Sequence, residues 1–269
     1  MYISRKLIIL FTLLALPFIS GICAANDDPK ARTIMERVDA RDDGNTQKSN
    51  LEMILIDKNG GKRIRRIASF AKDYGDDTYK LMFFQKPSDV KNTAFLSYDY
   101  SGERDDDQWL YLPSIRKTKR IANDDKTSAF MGSDFSYADM TDRELDNYFY
   151  KLLGEKKAHG HPCWLIQITP RNDEVVNKYG YTKSVVFVRK DIDMTVRAVN
   201  WVKDGKKVKY FDIKKLENID GIWTAREIHM TTKRGKATEH KTVLKFSNVQ
   251  YNFDLDDNEF TVRRIEKGL

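Results

Sequence analysis

Cysteine is almost absent from this sequence, and what there is cannot cross-link the mature chain. The 269 residues contain two cysteines, Cys23 and Cys163. We predict below that Cys23 is removed with an N-terminal leader, which leaves Cys163 without a partner. The fold must therefore be held together by its core. The 12% of aromatic residues supply large side chains for that core.

Long hydrophobic runs are also scarce, because no stretch approaches the ~20 apolar residues that a membrane-spanning helix needs. The longest is the short run Leu7–Ile19, which follows Arg5 and Lys6 and precedes the small residues of Gly21–Ala25. A basic start, a short apolar core and a small-residue exit predict a secretory signal peptide over residues 1–25. The sequence thus predicts export to the periplasm. Export excludes most functions that depend on ATP, NAD or the genome.

Two other interpretations of the leader are weaker. A retained membrane anchor is disfavoured because Pro17 and Gly21 shorten the apolar span. Lipidation at Cys23 is disfavoured because bacterial lipoprotein signals have a small residue before the cysteine, and here that residue is Ile22. We expect cleavage after Ala25, or one residue earlier.

Charge of one sign is not concentrated anywhere in the remaining chain, residues 26–269, which we predict to form a single domain. Its 45 basic and 40 acidic residues give a net charge of about +5, and the two signs are interspersed. The densest basic run, Arg116–Arg120, lies in a predicted hairpin rather than in a stripe with stacking aromatics. A nucleic-acid partner is therefore not expected. An anionic membrane surface or an acidic partner stays open.

Catalytic and metal-binding motifs are missing as well. The sequence has no G-x-S-x-G element, and its four histidines show no recognisable partner pattern. His159-x-His161-x-Cys163 carries metal-ligand chemistry, but Gly160 and Pro162 favour a hairpin turn there. The acidic runs at 105–107 and 254–259 lack the spacing of a calcium-binding loop. We expect no enzymatic activity, no metal and no cofactor.

What the sequence does contain is one helix followed by many strands. Asp28 and Pro29 suit the start of a helix over residues 29–40, with Ala31, Ile34 and Met35 on one face. Tight turns then separate short runs of strand-forming residues, which predicts an antiparallel meander of about ten or eleven strands. The segments that favour strands are 51–57, 63–70, 79–85, 93–100, 108–112, 117–121, 145–153, 163–169, 182–189, 195–202, 207–215, 222–232 and 238–246. A final short element is expected at Phe260–Ile265.

Some of these strands are apolar on both faces, as at Leu81–Phe84 and Trp164–Ile166. A strand buried on both sides needs cover on both sides, from a second sheet, a helix inside the curve or a ligand. The segment 123–147 is rich in bulky apolar residues but has no strand pattern. Short helices lying across the open end of a curved sheet would explain it, and such long irregular segments often bind ligands.

Several blocks of the chain resemble one protein family. They are Asn92–Tyr98, Gln108–Pro113, Met131–Met140 and Phe260–Ile265. Together they are similar to the periplasmic outer-membrane lipoprotein-sorting proteins, specifically the LolA-like branch found beside exporters of the resistance-nodulation-division (RND/MMPL) type. The resemblance extends over residues 27–269.

The resemblance implies a mainly β fold: a curved, half-open antiparallel barrel with an N-terminal helix and short lid helices over its mouth. It also implies a carrier that holds acyl chains of lipoproteins or lipids in an apolar cavity and moves them toward the outer membrane. Its partners would be an inner-membrane exporter and an outer-membrane acceptor, and we expect it to be a monomer. The alternative is a non-catalytic accessory subunit that docks on the exporter, for which an exposed apolar patch at 128–140 would serve.

Eight large apolar side chains are predicted to line the cavity or the lid: Leu81, Phe83, Phe95, Trp109, Tyr111, Phe130, Met131 and Phe135. The alternative for each is a place in a filled core. Replacing Phe83 and Trp109 by Asp separates the two possibilities. A folded protein that no longer takes up lipid would indicate a cavity, and an unfolded protein a core.

Overall fold

A single antiparallel sheet of thirteen strands forms the body of the molecule. The computed structural model describes residues 27–102 and 104–268, so the predicted signal peptide lies outside the described residues. The strands are β1 (Thr46–Asp57), β2 (Lys62–Tyr74), β3 (Asp77–Lys86), β4 (Ala94–Asp99), β5 (Asp107–Leu112), β6 (Lys117–Arg120), β7 (Tyr148–Ala158), β8 (His161–Pro170), β9 (Tyr181–Arg189), β10 (Met194–Val202), β11 (Lys207–Ile219), β12 (Ile222–Arg234) and β13 (Ala237–Tyr251). The mainly β, curved and unclosed architecture is confirmed. The strand count is thirteen rather than ten or eleven, because every predicted segment is paired, including the short β6.

Three α-helices accompany the sheet: α1 (Pro29–Asp39), α2 (Asp173–Tyr179) and α3 (Val262–Lys267). The prediction for α1 is confirmed, with the Asp28 carboxylate accepting from the backbone N–H groups of Lys30 and Ala31. The predicted C-terminal element is α3, which begins two residues later than expected behind the cap Thr261. None of the helices in the described part of the chain is long and apolar enough to cross a membrane.

The strand order is not that of one continuous meander. It runs β6-β5-β4-β3-β2-β1-β13-β12-β11-β10-β9-β8-β7, so that the first and last strands pair at the centre. Strands β6 and β7, which are neighbours along the chain, form the two free edges. The sheet is therefore a pair of meanders joined by β1 and β13, open between β6 and β7.

The chain between those edges, residues 121–147, covers one face of the sheet, and we call it the β6–β7 segment. It contains four short 3₁₀ helices, at Asn123–Asp125, Phe130–Gly132, Tyr137–Met140 and Leu145–Asn147. This confirms the expectation of short helices in this segment. Buried polar contacts hold it in place: Lys126 Nζ donates to the Asp106 carbonyl at 2.7 Å, and Gln108 Nε2 donates to the Tyr137 carbonyl at 2.9 Å.

The two faces of the sheet have different cover. The inner face carries α1, α2 and the β6–β7 segment, and its apolar side chains form two adjoining clusters. The outer face of β3, β4 and β5 is covered by α3, whose Ile265 is fully buried. For β3, β4 and β5, helices on both faces thus supply the double cover that apolar strands require.

Candidate functional site

The eight predicted cavity residues divide between the two faces. Phe95, Phe130 and Phe135 are buried in the inner-face cluster, and Met131 packs against it. Leu81, Phe83, Trp109 and Tyr111 lie on the outer face, in the cluster under α3. The split follows from strand geometry, because successive side chains of β3 point to opposite sides. Phe84 and Met82 face inward where Phe83 and Leu81 face outward.

Aromatic side chains of the β6–β7 segment fill the inner face beside β3, β4 and β5. The Phe130 ring lies 5.0 Å from Phe95 and 5.3 Å from Tyr137, measured between ring centroids, with edge-to-face geometry. Phe84 lies 6.3 Å from Phe130. This end of the half-barrel is therefore closed by side chains that belong to the segment itself.

The buried carboxylate of Asp134 holds the β6–β7 segment against the centre of the sheet. Asp134 Oδ2 accepts from Thr242 Oγ1 at 2.7 Å and lies 2.7 Å from His240 Nδ1, while Oδ1 accepts from Thr232 Oγ1 at 2.5 Å. The Asp134 side chain is 1% exposed. The Met131–Met140 block thus has a structural explanation. It contains Phe135 and Tyr137, which pack on the inner face, and Asp134, whose carboxylate holds the β6–β7 segment there.

Open space remains at the other end of the inner face, at the mouth of the half-barrel. A first cavity of about 270 Å³ lies between the turn after α1 and strands β1, β2, β12 and β13. Its walls are mixed in polarity. The apolar part is formed by Ala71, Met194, Trp223, Ala225, Ile228 and Phe246, and the charged part by Arg41, Asp43, Asp73, Lys80 and Asp142. Gly44 borders it with φ of +84°, and a Cβ there would lie 2.7 Å from the Tyr251 ring. Glycine therefore lets the turn close against the sheet.

A second cavity of about 270 Å³ adjoins the first beneath α1. Met35 and Val38 of α1 face Leu145, Tyr148, Tyr150 and Ile168 across it. The two cavities share Arg41, Asp43 and Asp142. Each is close to the lower end of the range typical of small-molecule sites, about 300–1,000 Å³.

Charged side chains meet where the cavities open. Lys80 Nζ lies 3.5 Å from the Asp99 carboxylate and 3.6 Å from that of Asp142, and it donates to the Met140 carbonyl at 3.3 Å. Burial disfavours the charged form of Lys80, but Asp142 and Asp99 outweigh it and raise the pKa of this amine. Burial raises the pKa of Asp99 to about 7; Lys80 opposes that shift and Asp142 adds to it.

The raised pKa of Asp99 predicts a pH-dependent contribution to stability. A carboxyl that ionises at about pH 7 when folded and at about pH 4 when unfolded binds more protons in the folded state between those values. The free energy of unfolding from this group therefore falls as the pH rises from about 4 to about 7. We expect the melting temperature of the wild type, relative to Asp99→Asn, to decrease over this window. Thermal melts of both proteins from pH 4.5 to 8 measure it.

Asp89→Asn, at an exposed turn, is the matched control for Asp99→Asn. Its melting temperature relative to the wild type should change little over the same pH range. A constant difference between the wild type and Asp99→Asn would show that this carboxyl ionises normally in the folded protein.

Sequence reasoning missed the residues of the mouth. Asp43 lies in a turn that the sequence marks only as a helix end, and Asp142 in a segment that it marks only as a polar cap. Lys80 and Asp99 lie on the neighbouring strands β3 and β4, whereas Ile228 is contributed by β12, far away in sequence. The one available signal was the unusual density of aspartates in turns at 42–43, 73–77 and 139–146.

The His159–Cys163 region forms a hairpin turn, as predicted. His159 and Gly160 both have positive φ, and His159 Nε2 lies 2.6 Å from Asp212 Oδ1. Cys163 is fully buried behind the turn. In the part of the chain that the structure describes, no group of three or more His, Cys, Asp or Glu residues could hold a metal ion.

Comparisons with known proteins agree with this architecture. A family model described as an uncharacterized protein matches residues 76–267. The crystal structure of a DUF1329 family protein from Desulfovibrio piger has a TM-score of 0.81 and 30% identity, covering 89% of this chain and 99% of that one. An outer membrane lipoprotein-sorting protein domain from Vibrio parahaemolyticus has a TM-score of 0.79 and 28% identity, covering 88% and 98%.

A more distant structure shares the fold alone. The LolA superfamily protein from Nitrosomonas europaea has a TM-score of 0.64 and 18% identity, over 87% of this chain and 98% of that one. No protein of curated function matches the chain. The structural likeness confirms the predicted resemblance to the lipoprotein-sorting proteins.

Proposed function

Because this chain belongs to the DUF1329 family and has the fold of the lipoprotein-sorting proteins, we propose that it is a periplasmic carrier of acyl chains. It would hold the chains of lipoproteins or lipids and move them toward the outer membrane. The observation that carries the proposal is the pair of adjoining cavities at the mouth, each of which has apolar side chains on part of its wall and charged side chains on the rest. Binding and release of this kind need no catalytic group, no metal and no cofactor.

The physical basis is the cost of exposing an acyl chain to water. Each CH₂ group that leaves water contributes ~0.8 kcal/mol, so even a short chain gains substantially from an apolar groove. Ile228 and Phe246 are only partly buried at the floor of the first cavity, and Met35 borders the second. Methionine and aromatic side chains adapt to ligands of differing shape, which suits a site that must also release them.

Filling the first cavity should weaken acyl binding. Ala225 lies on its wall, and Ala225→Trp would place an indole in the space that an acyl chain requires. We expect at least a tenfold loss of affinity for a fluorescent fatty-acyl probe with little change in melting temperature. Ala237→Trp, at an exposed position at the start of β13, is the matched control and should bind as the wild type does. Equal affinity in all three proteins would place the acyl site elsewhere.

The native cargo can be sought directly. Mature protein purified from a bacterial periplasm without detergent should yield stoichiometric acyl lipid or acylated peptide on organic extraction and mass spectrometry. An empty protein that also fails to take up the acyl probe would contradict the carrier function and leave the exporter-docking alternative.

That alternative finds less support in this conformation. An exposed apolar patch at 128–140 would have served docking, but Phe130, Phe135 and Tyr137 are all at least nine-tenths buried. Their contacts are with the inner face of the sheet rather than with solvent. We therefore retain the carrier as the proposed function.

A further inference from the structure

We propose that the protein docks on a surface of anionic phospholipid through the end of the sheet that lies opposite the mouth. The proposal concerns a different surface from the two cavities and goes beyond the carriage of acyl chains. Strands β1, β2, β12 and β13 each have one end at the mouth, so their hairpin turns lie at the opposite end. The register brings neighbouring connections together there, because Asp57 pairs with His240 and Arg66 with Lys86.

Basic side chains are concentrated in five segments at this end, which we call the basic end. The segments are 58–66, 86–91, 113–117, 203–207 and 233–241. Together they contain sixteen lysines and arginines and three acidic residues. Fourteen of the sixteen form no ion pair with any residue in 27–102 or 104–268, while Lys207 and Arg234 both pair with Glu239. The basic end thus carries positive charge that the protein itself leaves largely unneutralised.

Large hydrophobic side chains are exposed at the same end. Ile115 is 58% exposed in the turn between β5 and β6, Ile64 is 46% exposed on β2, and Tyr210 is 39% exposed near the start of β11. The other large hydrophobic side chain exposed to this extent, among the described residues, is Leu153 on β7. Bulky apolar side chains interspersed with cationic ones are typical of surfaces that bind a lipid interface, where the apolar groups enter the acyl boundary and the long basic side chains reach the phosphates.

The strand register places the two kinds of side chain side by side on the outer face. Leu55 and Phe211 pack in the inner-face cluster, so their neighbours Ile56 and Tyr210 point outward. Directly paired residues of adjacent strands share a face. One outward row therefore runs across six strands, from β10 to β2: Val199, Tyr210, Thr231, Lys241, Ile56 and Lys62. At ~4.8 Å between strands the row is about 24 Å wide, and it lies outside the area that α3 covers.

A bilayer that contains anionic phospholipid matches both features of the basic end. Its negative surface attracts lysine and arginine side chains, and its interface accepts isoleucine and tyrosine. A soluble polyanion would match the charges alone. The mouth, which is lined by nine acidic side chains and two arginines, lies at the other end of the same strands. Docking through the basic end would therefore hold the mouth away from the negatively charged surface.

Co-sedimentation of the mature protein, residues 26–269, with vesicles tests the proposal. Vesicles of equal parts phosphatidylglycerol and phosphatidylcholine should bind the protein at least tenfold more tightly than vesicles of phosphatidylcholine alone. High salt should reduce this preference, because salt screens the charges of an exposed surface. Equal binding to the two kinds of vesicle would overturn the proposal.

A pair of variants separates the charge of the basic end from the overall charge. Lys62→Gln/Lys236→Gln removes two exposed cations of the basic end and should weaken binding to the anionic vesicles at least fivefold, with little change in melting temperature. Lys151→Gln/Lys156→Gln removes the same charge from exposed positions on the edge strand β7 and should bind as the wild type does. Equal losses in the two variants would show that overall charge decides binding, and would overturn docking through the basic end.

Ile64→Ser tests whether apolar side chains of the basic end enter the lipid interface. We expect severalfold weaker binding to the anionic vesicles, because the exposed isoleucine would no longer reach the acyl boundary. Leu153→Ser, at an exposed position on β7, is the matched control and should bind as the wild type does. A loss of binding in Lys62→Gln/Lys236→Gln with no loss in Ile64→Ser would overturn the lipid surface in favour of a soluble polyanion.

Ala225→Trp separates docking from the proposed function. Its indole would fill the first cavity, which lies outside the basic end, so this variant should bind the anionic vesicles as the wild type does. Loss of vesicle binding in Ala225→Trp would show that the cavity takes lipid from the vesicles, and would overturn docking through the basic end. Lys62→Gln/Lys236→Gln should retain its affinity for a fluorescent fatty-acyl probe. A wild-type protein that binds this probe but no vesicles would contradict docking and leave the carrier function intact.

Discussion

Replacing Phe83 by Asp is expected to leave most of the protein unfolded at 25 °C. Phe83 is 2% exposed on the outer face, where it packs with Leu81, Leu96 and Ile265 under α3. Loss of a buried phenyl ring costs about 3–5 kcal/mol, and burying a carboxylate in its place adds several more. The sum approaches or exceeds the total stability of a typical domain, about 5–15 kcal/mol.

Circular dichroism and urea titration would measure the effect of Phe83→Asp. Tyr210→Asp is the control, because Tyr210 is 39% exposed on β11 and its replacement should leave the protein folded. If Phe83→Asp instead proved folded and unable to take up an acyl probe, Phe83 would line the binding cavity, as the sequence analysis predicted.

The second large effect is expected at Asp134. Its carboxylate is the common acceptor of Thr232, Thr242 and His240. Asp134→Ala would leave the buried Thr232 hydroxyl unpaired and remove the acceptor of the Thr242 hydroxyl, which would still accept from the backbone N–H of residue 134. A buried hydroxyl group that loses its partner costs about 1–3 kcal/mol, so the two together cost about 2–6 kcal/mol. For a chain of this size that corresponds to a melting temperature lower by about 10 °C.

The Asp134 change should also alter function, because this contact holds the β6–β7 segment on the inner face. We expect faster hydrogen exchange at residues 128–140 and tighter binding of long-chain acyl probes, since the displaced aromatics uncover more apolar surface. Asp124→Ala, an exposed position in the same segment, is the control. A destabilised Asp134→Ala with unchanged exchange in 128–140 would show that the carboxylate supports the sheet rather than the segment.

Local features of the fold were readable from sequence. The cap Asp28 and the apolar positions of α1 located that helix within one residue of its end. Turn residues such as Gly60, Gly160 and Gly205 separated the strands correctly, because a hairpin turn depends on the few residues that form it. The short α2 was missed although Asn172 caps it and Gly180 ends it, since seven residues give too little periodicity.

Local patterns also left the site incomplete. The sequence identified large apolar side chains, but it could not assign each to a face of the sheet. Phe95 and Phe130 meet on the inner face, whereas Leu81 and Trp109 pack under α3. That assignment depends on the register of β3 and β4 and on where α3 lies. The acidic mouth was not predicted, because Asp43, Asp73 and Asp142 are far apart in the chain and only the fold brings them together.

The sequence by itself determined the strands, the turns, the leading helix and a segment at 123–147 that has no strand pattern. These follow from side-chain alternation, capping and backbone preference, which act over a few residues. Only the tertiary structure decided that β1 pairs with β13, that the sheet stays open between β6 and β7, and that unpaired carboxylates gather at its mouth. Those outcomes depend on which distant surfaces bury each other. The apolar side chains of the β6–β7 segment leave water when the segment packs inside the curve of the sheet, so the segment does not bridge the edge strands β6 and β7.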